Sequence, residues 1–529
     1  MAGHTTDHLH WVRPGEGPFL LHRGESWGHH RLPVNTRVIY PKPSLPALPD
    51  RRAAIQQALD NPLGQPALRD QLKAGMKVTI AFDDISLPLP SMTRPDIRQD
   101  VIELVVAACD EAGVTDIDLM VAICLHRKLT PAEIRHMVGD AVFNRFYPAG
   151  RLRNYDAEDT EANTHLGETE EGEEVEISTR AVESDLLVYV NINLVAMDGG
   201  HKSIPIGLGT YRSVRHHHNA HMLLHDSSYM DVDRSHFHRS CERMGAIVEK
   251  KVRCFHIETT VNNDLYPWHL KFLAKRERNW NPLDRLSSSV MSTAMDILPT
   301  SMRRKLYQSN LAPYGMTSVQ AGDVDLVHAK TLEAVHAQHV VDVPDQCDIL
   351  LLGMPSIGPY SVNSIMNPIL VYCNSVGYFY NFYIHRPLVR QGGVMIVNRP
   401  MTNEFHPVHH PSYIDFFNDL LPQTRCPREL GKRFEADYAA NPRYKALYQR
   451  TQAYHGVHPF YMWYWGAHGK AQLSRVIVVN PDRTAVERIG FESAPTLDAA
   501  IGMARESVGD GARMSYFHNP PLLQCRLPA

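Results

Sequence analysis

Apolar residues along this chain fall into short continuous runs separated by stretches with a three-to-four-residue rhythm. Lys77–Phe82 (KVTIAF), Ile117–Ile123 and Asp185–Asn191 (DLLVYVN) have the length and continuity of buried strands. Between the first two, Asp96–Ala112 sets Ile97, Val101, Leu104, Val105 and Ala108 on one helical face. Thr130-Pro131-Ala132-Glu133 predicts a helix start, with a Thr cap, Pro in the first position and Glu in the third. Arg51–Leu59 is helical in pattern, and Asn61-Pro62-Leu63-Gly64 makes a turn. Strand, helix, strand, helix in succession predicts an α/β fold with a mainly parallel sheet and right-handed crossovers. Cys254–Val261 adds a strand, and the acidic stretch Asp156–Glu176 reads as a solvated surface excursion.

A second α/β unit begins near Val324. Its elements are a helix at Asp325–His339, strands at Asp348–Leu352, Gly392–Asn398 and Val476–Asn480, a helix or buried segment at Ile369–Tyr378, and a terminal helix at Leu497–Val508. Residues 1–50, rich in Pro and Gly, read as an extended arm with one short strand at Thr36–Tyr40; residues 266–320 carry no clear pattern. The expected division is an N-terminal domain over 1–323, a C-terminal domain over 324–480, and a segment over 481–529 packing back on the N-terminal domain.

Composition narrows the class. The 529 residues are 43% hydrophobic with a net charge of -4, which favours neither nucleic acid nor an anionic membrane surface as a partner. No apolar run approaches the ~18 residues of a membrane span, and the N-terminus lacks the apolar core of a signal peptide. Eight cysteines without a CxxC pair suggest no disulfide framework, so the expected setting is a reducing cytoplasm. The outlying number is 30 histidines, clustered at 216–225 and 406–410.

The candidate chemistry gathers at predicted strand ends. Asp84 and His126 each follow a parallel strand and Lys202 follows a third, and in such sheets those ends share one crevice. His126 reads as a base oriented by Asp84, against the plainer reading of a turn-capping carboxylate and a partly exposed imidazole. Lys202, after the glycines Gly199 and Gly200, is a candidate covalent anchor or anion contact; the glycine spacing matches neither a Walker loop nor GxGxxG. If 212–225 is helical, His217 or His218 shares a face with His221 and His225, a spacing that suits Zn²⁺ and hydrolysis. The alternatives are one imidazole ligating a softer metal within a bound cofactor, or a polar helix face.

Several of these segments together resemble the nickel-dependent lactate racemase family over nearly the whole chain. Leu59–Gly64 looks like a family turn, Asp84-Ile85-Ser86-Leu87-Pro88 stands where the family has Asp-x-Thr-Arg-Pro, and Leu125-His126-Arg127 resembles Phe-His-Arg. Leu166-Gly167-Glu168-Thr169 with Gly172, Gly199-Gly200-His201-Lys202 with Gly207 and then His218, and Gly392-Gly393 follow in the family's order. The resemblance implies two α/β domains with a cleft between them. It implies a nickel-pincer nucleotide, a pyridinium-3-thioamide-5-thiocarboxylic acid mononucleotide tethered to Lys202, beside Gly199 and Gly200, with His218 on nickel. It implies hydride transfer from a 2-hydroxy acid while His126 takes the hydroxyl proton. The sequence also departs from the family. The motif arginine is Leu87, with Arg94 in Thr93-Arg94-Pro95 the nearby candidate replacement. The second catalytic histidine falls at Ile192, between Asn191 and Asn193, and the Gln and Lys of the second domain have no counterpart in Tyr360–Asn367. The resemblance therefore implies a racemase- or epimerase-like isomerase whose substrate is larger or less acidic than lactate; a zinc hydrolase and a non-catalytic cofactor-binding relative are the other readings.

Overall fold

A computed structural model describes residues 6–224 and 228–529. Its first sheet runs in the order Met316–Gly322, Cys254–Val261, Leu186–Asn193, Lys77–Asp83, Asp116–Ala122, Leu152–Asn154. Every pairing is parallel except that of Met316–Gly322 with Cys254–Val261. All eight residues of the central strand Leu186–Asn193 are buried, as a parallel strand covered on both faces requires. The helices Ile97–Glu111 and Pro131–Phe146 lie against each other as crossovers. The second begins with the expected capping box: Glu133 N donates to the Thr130 hydroxyl, and the Glu133 carboxylate accepts from Thr130 N.

The second sheet runs Leu9–Trp11, Arg37–Ile39, Met514–Phe517, Cys347–Gly353, Val389–Asn398, Arg475–Val479, Glu492–Ala494 and is parallel apart from its first pair. Helix Leu497–Val508 covers one face, burying Leu497, Ala500, Ile501 and Ala504 against the strands. Both ends of the chain thus belong to the second sheet. This differs from the expectation that 481–529 packs on the N-terminal domain and that 1–50 is a mere arm. Met514–Phe517 is held between Arg37–Ile39 and Cys347–Gly353 because its own side chains, Met514 and Tyr516, complete that core.

Two other differences have local causes. Helix Val324–His339 packs on the strands Cys254–Val261 and Met316–Gly322, so the first domain extends past 323. The acidic stretch is an antiparallel hairpin, Asn163–Glu168 with Glu174–Ser178. Two of its carboxylates anchor it: Glu173 is buried and holds Arg243 and Ser240, and Glu174 holds Arg212 and Arg215. The charge run is thereby the clasp on the helix Tyr211–Val214 and the turn after it. No described helix is long and apolar enough to cross a membrane.

Candidate functional site

The three strands Lys77–Asp83, Asp116–Ala122 and Leu186–Asn193 lie side by side, and the chain leaving their carboxyl ends carries Asp84, His126 and Lys202. His126 Nδ1 is 2.8 Å from Asp84 Oδ2, and Asp84 Oδ1 accepts from Ser86 N at 2.9 Å and from the Ser86 hydroxyl. Burial alone would raise the Asp84 carboxyl, but the His126 ring and the Ser86 donors together hold it below the ordinary carboxylate value. An ionised Asp84 can only accept, so Nδ1 carries the proton and Nε2 is left with a lone pair. That arrangement orients a general base.

A buried cation holds the loop in place. Arg98 is 1% exposed and Asp96 0%, and they pair at 2.8 Å while Arg98 Nη1 donates to the carbonyls of Asp83, Asp84 and Leu87. Removing one partner of a buried pair strands the other charge. Arg98→Met is expected to destabilise the fold by about 3–5 kcal/mol, read as a lowered midpoint in urea with an unchanged slope. A shift of a few tenths would show that the pair is dispensable.

The second domain grips the His126 loop from the other side. His455 N donates to Leu125 O at 3.1 Å, the Tyr448 hydroxyl to Cys124 O at 2.7 Å, and Arg127 Nη2 to Val362 O at 3.2 Å. The His126 ring stands edge-on to Tyr360 at 5.0 Å and to His458 at 5.4 Å.

Lys202 ends a short 3-10 turn, Gly200–Lys202, with Nζ 3.7 Å from Asp198 Oδ1. Asp198 Oδ2 accepts from Leu194 N and Val195 N. Burial raises the Asp198 carboxyl against the opposing pull of Lys202 and those two amides. Gly199 and Gly200 have φ of +79° and +63°, and a Cβ on Gly199 would sit 2.2 Å from Asn193 Oδ1 and 2.5 Å from Glu258 Oε1. They shape this turn by packing against the sheet, Gly200 N donating to Glu258, and do not line the cleft.

The histidine run is not one helix. Tyr211–Val214 and Ala220–Leu223 are single turns separated by His216–Asn219, with Asn219 capping the second. The helix on which His217 or His218 would share a zinc-binding face with His221 and His225 is therefore not formed over 211–224, and His225 lies outside the described residues. Instead His217 Nδ1 and His218 Nδ1 stand 2.7 Å apart, so one donates to the other. Burial pushes His217 down to about 3 and His218 well below its usual value, leaving two neutral rings. With His218 Nδ1–H as the donor, its Nε2 keeps a lone pair that no described residue occupies, and Phe237, Tyr461 and Trp465 pack around its ring. A second group that contacts the other ring nitrogen is how metal-bound imidazoles are usually oriented.

His126, Asp198, Lys202 and His218 line one cavity of about 190 Å³, closed from the second domain by Tyr360, Tyr378, Phe379 and Trp465. Asn374, Tyr378 and Phe379 come from a π-helical stretch, Cys373–Phe379, that continues the helix Pro368–Tyr372. Sequence periodicity marked this segment as buried but carried no sign of the cleft. Other expectations resolve as follows. Leu87 lines the cleft. Arg94 is half exposed and pairs with Asp140 at 3.1 Å, so it does not take the missing arginine's place. Ile192 is 0% exposed within its strand, and its N–H donates to Asp83, whose carboxyl burial pushes up to about 7. Asn191 bonds Asp83 and Ser203, and Asn193 bonds Thr259 O. None of the three reaches the cleft lining.

A sequence profile for the lactate racemase N-terminal domain matches residues 28–231. The lactate racemase of Thermoanaerobacterium thermosaccharolyticum is 26% identical over 170 residues, 31% of this chain and 37% of that protein. The alignment thus spans well under half of that relative. The solved lactate racemase apoprotein of the same organism superposes with a TM-score of 0.63 at 17% identity, over 97% of this chain and 100% of its own. The two share a fold in both halves. A Thermotoga maritima protein reaches 0.49 at 12% identity, over 90% of this chain and 97% of its own.

Proposed function

We propose that the chain is a distant member of the lactate racemase family, whose N-terminal-domain profile matches residues 28–231, and that it is an isomerase-type enzyme inverting or exchanging hydrogen at a secondary alcohol other than lactate. The observation that carries this reading is that one cavity is lined by an oriented imidazole, an amine and a second, neutral imidazole: His126, Lys202 and His218. The donor set fits a nickel-pincer nucleotide, since a primary amine can tether it and a neutral imidazole beside sulfur donors suits Ni²⁺. When bound, that group supplies the acceptor and donor of hydride. The chain's own part is the rest. His126 Nε2 takes the hydroxyl proton as the carbon–hydrogen bond breaks, and returns it when hydride comes back to the carbonyl carbon. Asp84 stabilises the imidazolium that forms in between. Tyr360, Tyr378 and Trp465 keep bulk water from the reacting carbon.

Protein made in a host that synthesises the pincer nucleotide tests this directly. Intact-mass measurement with metal analysis is expected to find a covalent adduct on Lys202 and about one nickel per chain. An unmodified chain carrying zinc, or none of either, would remove the pincer reading; an adduct with no turnover of any alcohol would leave a cofactor-binding relative.

A further inference from the structure

A second, larger cavity of about 730 Å³ adjoins the cleft. Leu89, Leu265, Ile357 and Gly358 line both spaces, so the two meet beside the base. Its outer wall is the segment that had no readable pattern in sequence, carrying the helices Pro282–Ile297 and Thr300–Gln308. That wall presents Leu270, Leu273, Met291, Met295 and Leu298 to the cavity. Both charged side chains among its lining residues are already paired: Arg98 with Asp96, Glu133 with Arg127. The cleft is equally short of free charge. Among the described residues lining it, Lys202 is the one cation beyond the histidines and Asp198 the one carboxylate, and these two face each other. The apolar Leu87 lines it as well.

A carboxylate placed beside His126 would therefore be desolvated with no guanidinium to receive it, which is costly. An apolar chain, by contrast, has the apolar wall of Leu89, Leu265, Leu270, Leu273, Met295 and Leu298 to cover. Resting on the function proposed above, we propose that the substrate is an uncharged, largely apolar secondary alcohol or its ketone. Its carbinol carbon sits at His126, and its body passes Leu89 and Ile357 into the larger cavity.

Binding is the readout, so that neither cofactor loading nor turnover enters. The full-length protein is titrated calorimetrically with 2-alkanols from 2-butanol to 2-decanol and with 2-hydroxyalkanoates of matching length. Affinity for the alcohols is expected to rise by about fourfold per added methylene until the cavity is filled, with each carboxylate at least tenfold weaker than its alcohol. Met295→Trp, or Leu298→Trp should the first fold poorly, fills the cavity and is expected to flatten the length dependence. Leu87→Arg is expected to narrow or reverse the preference against carboxylates. A length-independent series, or tighter binding of the carboxylates to the unaltered protein, overturns the proposal. Either result leaves the Lys202 adduct to stand or fall by the mass measurement alone.

Discussion

Lys202→Ala is expected to abolish activity, and to do so by removing the attachment point. The variant should show no covalent adduct, background nickel, and turnover indistinguishable from the unloaded chain. Lys202→Arg is the sharper form of the same test. It keeps a cation near Asp198, 3.7 Å away in the native arrangement, but the guanidinium stays protonated and is no nucleophile at neutral pH. Loss of adduct and activity in both variants assigns Lys202 a covalent role; retention of either in Lys202→Arg reduces it to a charge partner.

His126→Ala is expected to lower kcat by about 10²–10⁴-fold, the usual contribution of a positioned acid–base group, with adduct and nickel content unchanged. The measurement is made on the alcohol that the loaded wild-type enzyme turns over. Asp84→Asn should lower kcat less steeply while leaving the imidazole in place. An amide can donate to Nδ1 as well as accept from it, so the neutral ring is no longer held with its proton on Nδ1 and its lone pair on Nε2. Full activity in His126→Ala would remove this residue from the reaction. In that event the cleft wall still offers other proton carriers, among them the hydroxyls of Tyr360 and Tyr378, which stand 3.1 Å apart.

Much of the first domain was readable from the chain. Continuous apolar runs mark Lys77–Asp83, Asp116–Ala122, Leu186–Asn193 and Cys254–Val261 to within two residues at either end, because buried parallel strands need side chains that are apolar on both faces. The helix start at Thr130 was legible because a capping box is made by residues three apart. Asp84, His126 and Lys202 could be grouped for a related reason: each follows a strand whose end the local pattern marks, and strand ends in such sheets converge; His218 was singled out only by the family resemblance.

The misreadings share a cause as well. A polar run looks solvated when its partners are distant, so Asp156–Glu176 gave no sign of Arg212, Arg215 and Arg243. A His run at helical spacing suggested a zinc face, and the turn at His216–Asn219 broke it. What that turn produced, the contact of His217 with His218, requires a backbone conformation that spacing does not encode.

The sequence by itself determined most strands and helices of the first sheet, the class of fold, and the placing of Asp84, His126 and Lys202 just past strand ends, since these depend on residues a few positions apart. Tertiary structure alone decided that both chain ends complete the second sheet, with Tyr516 donating to Leu20 O across 496 positions. It alone decided that Arg98 pins the Asp84 loop, that Tyr360, Tyr378 and Trp465 close the cleft, and that an apolar chamber lies beside the base. Those features are made by surfaces brought together from opposite ends of the chain, and burial rewards the assembled surface rather than any short pattern within it.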